Sequence, residues 1–221
     1  MRRRVVMVMA SMGIIAASAT TLSCRGGASD ASDTGPQGDS MSVYGERAEE
    51  ISRAAAGGDR EATQTAVDGA VSALPSDAAA LGVGDLEGLG SLRDVCQEVS
   101  LTPAAMERCA RIGRLLRDGL GRLRPEDNDA RWRAGRIQLA LEIGAHDAAG
   151  AEAAARALVE LAPRADRAVS DALALIENAA ATLAASNDTA AAGALRGVAA
   201  ELAAEAGDPE RARRLQARPA E

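Results

Sequence analysis

The chain of 221 residues has no phenylalanine, no lysine, one tryptophan (Trp132), one tyrosine (Tyr44) and one histidine (His146). With so few rings, a stacking surface for sugars or bases is hard to build. A single histidine leaves only one candidate base for a Ser-His-Asp or Cys-His arrangement, and too few ligands for zinc. No glycine-rich phosphate loop, paired CxxC, HExxH or GxSxG is present. Valine and isoleucine are sparse, which argues against strands. What is abundant is alanine, about a quarter of the chain, the residue with the highest helix propensity.

The first 24 residues have an order of their own. Arg2, Arg3 and Arg4 precede an apolar run from Val5 to Ala19, and small residues lead to Cys24. A basic start, an apolar stretch and small residues before a cut site make an export signal over residues 1–23, and the general secretion route fits it. The stretch is shorter than the ~20 residues that span a bilayer as a helix. Thr21-Leu22-Ser23-Cys24 resembles the lipobox of bacterial lipoproteins, whose cysteine is acylated and becomes the first residue. That resemblance implies lipidation at Cys24. One acyl chain holds a membrane only marginally, and two hold it stably. Thr21 stands where the commonest lipobox has leucine, so cleavage without lipidation is the alternative. Arg25 follows the cysteine where an inner-membrane retention signal has aspartate, so the outer membrane is expected if the cell has two.

Residues 24–42 continue as a polar, Gly/Ser/Asp-rich tether. Removing residues 1–23 takes away three arginines and no acids. That leaves 22 basic against 32 acidic residues, a net charge of −10. Such an exported acidic protein is a poor candidate for nucleic acid. Residues 43–221 are the size of one domain. With Cys24 used by lipid, Cys96 and Cys109 remain, and exported domains commonly oxidise such pairs. Between them Ser100-Leu101-Thr102-Pro103 reads as a helix stop, an N-cap and a proline at the first helical position. A disulfide across that hairpin is the expectation.

Apolar spacing is helical throughout residues 43–221 and predicts an all-α fold of about nine helices, antiparallel where the connections are short. Tyr44, Ala48, Ile51 and Ala55 share one face, ended by Gly57-Gly58; Leu89, Leu92, Cys96 and Val99 share another. Similar turns recur at Gly58-Asp59, Gly144 with Asp147, Asn187-Asp188 and Gly207-Asp208-Pro209. Leu141 to Pro163 and Ala199 to Leu215 resemble tetratricopeptide-type hairpins, with Ala212 at that family's small-residue position and Pro163 near its proline position. The resemblance implies a degenerate helical-hairpin array; an irregular helical bundle is the other reading, since no 34-residue period runs through the chain.

Nine arginines fall between residues 108 and 136 against four acids, a local charge of +5, while the rest of the chain after residue 23 is −15. Arg111, Arg114, Arg117, Arg131 and Arg133, with Trp132 between the last two, are the candidate partner-binding residues. The partner class is an acidic protein or an anionic envelope polymer. The competing reading is a solvated helix face paired with the acidic remainder. His146 lies in a polar turn and reads as solvent-facing. No catalytic residue, metal ligand or cofactor site is assigned. The function expected is a non-catalytic binding or scaffolding lipoprotein of the cell envelope. The alternatives are a soluble exported helical protein and a glycan-acting enzyme using an unrecognised carboxylate, although the Glu-Ser motif of lytic transglycosylases is missing.

Overall fold

The computed structural model describes residues 42–100 and 102–217. Residues 1–41, Cys24 among them, lie outside the described residues, so the export, lipidation and tether expectations are not addressed by the fold. Among the described residues there are nine α-helices and no strand. They are α1 (Val43–Ala56), α2 (Arg60–Ser72), α3 (Asp85–Val99), α4 (Pro103–Leu123), α5 (Asn128–Gly144), α6 (Ala148–Leu161), α7 (Val169–Ala185), α8 (Thr189–Glu205) and α9 (Pro209–Gln216). Short 3-10 turns occupy Ala78–Ala80 and Ala162–Ala165.

The helix starts follow from side-chain chemistry. Ser42, Asp59, Thr102, Asp127, Asp147, Asp188 and Asp208 each accept a hydrogen bond from the backbone N–H three residues on. Each such cap stabilises by about 1 kcal/mol. Helices α3 and α7 begin at Gly84 and Ala168 without a side-chain cap. Three helix ends share one device. The N–H groups of Asp147, Asp188 and Asp208 donate to the carbonyls of Glu142, Leu183 and Ala203 at 2.9, 3.0 and 2.8 Å. This closure needs a left-handed residue just before each aspartate. His146, Asn187 and Gly207 supply it, with φ of 58°, 65° and 79°. The aspartate then caps the next helix, so one residue pair ends one helix and starts another.

Helix α1 lies between α2 and α3, and the packing continues through α3 on α4, α4 on α5 and α5 on α6. Beyond that, α6 packs on α8 and α5 touches α7, so the α5/α6 and α7/α8 hairpins stack. Two apolar cores result. One joins Ile51, Leu89, Leu92 and Ile112; the other joins Leu158, Leu173, Ile176 and Leu183. Helix α5 serves both, giving Ala134 and Leu141 to the first and Trp132 and Leu139 to the second. Alanines such as Ala154, Ala155, Ala192 and Ala199 are fully buried in α6 and α8. Each buries little area, but short side chains let helices come close.

Candidate functional site

Helices α4 and α5 carry the arginine-rich segment, and the fold divides it instead of presenting one face. Arg108 leaves toward α2, where it pairs with Asp68 at 2.9 Å. Arg122 donates to the carbonyls of Ala78 and Leu81. Arg131 donates to Pro125 O at 2.8 Å and Asn128 Oδ1 at 3.2 Å, bracing the first turn of its own helix. Arg117 is held by Asp118. Arg111, Arg133 and Arg136 are exposed and have no ion pair among the described residues.

Two of the expected contact residues have inward roles. Arg114 directs one guanidinium nitrogen at both Glu142 carboxylate oxygens, at 2.7 and 2.8 Å. Its charge is used inside the molecule, because Glu142 is only 1% exposed and a buried carboxylate needs a cation. Trp132 is buried in the second core at 5% exposure, so most of the ring is packed and does not project between Arg131 and Arg133. The chain at 131–133 is helical, and successive residues point about 100° apart.

The Arg114–Glu142 pair belongs to a polar cluster that the sequence reading missed. Gln138, fully buried one turn before Glu142, donates through Nε2 to Ala110 O at 3.2 Å and to Glu142 Oε1. Its Oε1 has no hydrogen-bond partner. Two glycines make the space. A Cβ at Gly113 of α4 would sit 2.2 Å from Gln138 Oε1, and one at Gly150 of α6 would sit 2.6 Å from the Glu142 carboxylate. The signal was a Gln and a Glu four residues apart among apolar residues of α5. It is easily passed over, because only the facing glycines reveal that these side chains point inward. The cluster locks α4, α5 and the start of α6 together, and Glu142 is sealed from any ligand in solvent.

Two grooves flank α5. On one side, between α4, α5 and α6, Arg117, Arg131 and Arg164 line a cleft of about 380 Å³. On the other, α5 and α7 part to leave a cleft of about 670 Å³. Asp129, Trp132, Arg133 and Arg136 form its α5 wall; Asp171, Ala174, Leu175 and Asn178 form its α7 wall. Arg167 stands at one end, 3.4 Å from Asp129. Its position is set by Asp166, left-handed at φ 55°, which lets the Arg167 N–H reach Ala162 O at 2.9 Å. Arg133 is thus placed with Arg136 and Arg167, whereas Arg111 lines neither cleft.

No protein-family model matches the chain, and no curated protein or solved structure matches it. The chemistry of the site therefore has to be read from its own residues.

Cys96 and Cys109 face each other from α3 and α4 at disulfide distance, with Sγ atoms 2.25 Å and Cα atoms 5.6 Å apart. Both are fully buried. The Thr102 cap and Pro103 start α4 where the hairpin expectation put them. His146, 42% exposed, is more than a solvated turn residue: its Nδ1 lies 3.0 Å from Asp188 Oδ2, tying the α5/α6 turn to the α7/α8 turn. That hydrogen bond, with the Ala191 N–H, holds the Asp188 carboxyl below its ordinary value of 3.8. Among the described residues no cluster of His, Cys, Asp or Glu has metal-site geometry, and no helix is long and apolar enough to cross a membrane.

Proposed function

We propose that this protein is an exported, lipid-anchored module that binds or scaffolds a partner at the cell envelope and catalyses no reaction. Cysteine arithmetic carries the reading. Cys96 and Cys109 face each other at disulfide distance, leaving Cys24 as the one cysteine outside the pair, directly after a leader of export character. An oxidising compartment suits such a pair. The binding surface in this reading is the α5/α7 cleft, where helices meet at a concave wall carrying cations that the fold leaves unpaired. Glu142, the most buried carboxylate among the described residues, is bonded by Arg114 and shielded, which makes it a packing group instead of an acid for glycan cleavage.

Cys24→Ser tests the anchor. Wild-type protein is expected in the membrane fraction and the variant in the soluble fraction; membrane association that survives the change removes the lipid from the reading. A photo-crosslinking residue at Ala174, in the cleft, tests the binding role in the intact envelope. Adducts are expected from Ala174 and not from Glu98, on the exposed side of α3. Identical adducts from both positions would remove the cleft as the binding surface.

A further inference from the structure

The two walls of the α5/α7 cleft are matched in length and unlike in charge. On α5 the lining residues fall at 129, 132, 133 and 136; on α7 they fall at 171, 174, 175 and 178. Both series follow the i, i+3, i+4, i+7 spacing of one helix face, and at 1.5 Å per residue each wall runs about 10 Å. About three residues of extended chain cover that length.

Arg167 and Asp129 pair with each other at 3.4 Å, whereas Arg133, Arg136 and Asp171 are not used by the fold. Arg133 and Arg136 are one turn apart on the same face, a spacing at which like charges disfavour each other. Asp171 lines the opposite wall, and none of the three has an ion-pair partner among the described residues. Opposite charges thus face one another without closing into a bridge, across a space of about 670 Å³ that is within the usual range for a ligand site. Asn178 adds an amide that both donates and accepts, which suits a peptide backbone, and Leu175 with the edge of Trp132 gives an apolar floor.

Resting on the binding-module reading above, we infer that this cleft takes a short extended peptide segment whose carboxylate groups pair with Arg133 and Arg136. Arginine binds carboxylates through two parallel N–H···O bonds, and this geometry makes such pairs specific. The carboxylates of Asp129 and Asp171 disfavour a dense polyanion, which would meet them on both walls. A peptide places its anionic groups only where the arginines are, and offers N–H groups to Asp171.

Trp132, the only tryptophan, lines the cleft and reports on it directly. The purified protein is titrated with three probes while its emission is followed: acetylated and amidated (Glu-Ala)3, the matching (Gln-Ala)3, and tripolyphosphate. The glutamate peptide is expected to give a saturable change, and the glutamine peptide and tripolyphosphate none. The double variant Arg133→Gln/Arg136→Gln should weaken binding at least 10-fold, and Arg111→Gln, outside the cleft, should leave it unchanged. Both variants alter exposed side chains without ion pairs, and far-UV circular dichroism checks that they remain helical. Equal responses to the two peptides, unchanged binding by the double variant, a response confined to tripolyphosphate, or no response at all would each overturn the assignment. Such a failure alongside Ala174-specific adducts would remove the ligand class and leave the binding module standing.

Discussion

Gln138 and Glu142 show how much a few buried polar groups can decide. Neither reaches solvent, and both depend on a cation and on the absence of two methyl groups. Burying an unpaired carboxylate costs several kcal/mol, so Arg114 is tied to this cluster whatever else the segment does. Gly113 carries the sharpest steric condition. Gly113→Ala would bring its Cβ to 2.2 Å from Gln138 Oε1, forcing the amide off its place and disturbing its bond to Glu142. Overpacking of this kind costs about 1–3 kcal/mol. Urea unfolding should show that loss, whereas Gly121→Ala on the same helix, with nothing within 4 Å of the added Cβ, should be neutral or stabilising.

At the scale of helices and turns, one local device is repeated: a left-handed residue followed by an aspartate that caps the next helix. Two of these turns also touch, through His146 and Asp188. The depressed carboxyl of Asp188 has a definite consequence for stability. A group whose folded pKa lies below its unfolded value contributes fully above the unfolded value and loses the contribution as pH falls through the folded one. Here that loss begins near 3.8 and is completed below the depressed folded value. His146→Gly keeps a residue suited to the left-handed backbone but removes the imidazole. Carboxyl-carbon NMR should then show the Asp188 titration moving up toward 3.8, with part of the depression retained through the Ala191 N–H. A titration that does not move would mean that the two turns are not coupled in solution.

For the molecule as a whole, the decisive element is α5, which supplies side chains to both cores. The disulfide-spaced pair lies in the first core and Trp132 in the second. Closing a loop with a sequence separation of 13 contributes about 3 kcal/mol. Reduction should therefore lower stability by about that amount. Because α5 joins the cores, the loss should appear in Trp132 emission and far-UV circular dichroism at the same denaturant concentration. Separate midpoints for the two signals would show that the cores unfold independently. The net charge of −7 is spread unevenly, and the packing sets where it is neutralised: Arg156 joins Glu201 at 2.6 Å and Arg211 joins Glu177 at 2.5 Å, while the α5/α7 cleft keeps Arg133 and Arg136 open.

The helical class, the helix boundaries near Gly57, Pro103, Gly144 and Gly207, and the facing of Cys96 and Cys109 were legible in the chain alone. These features arise from neighbours close in sequence: apolar residues three and four apart, an aspartate three residues before the N–H it caps, and a turn too short to separate the cysteines. The roles of individual arginines were not legible. Arg114 and Arg133 differ little as sequence, yet Arg114 meets a carboxylate 28 positions away and Arg133 meets none. Trp132 likewise stands between two charged residues in sequence and is buried, because the helix turns it toward a core assembled from α6, α7 and α8. Local sequence sets which backbone groups bond within an element. Only the packing of distant elements decides which charges are consumed and which are left facing open space.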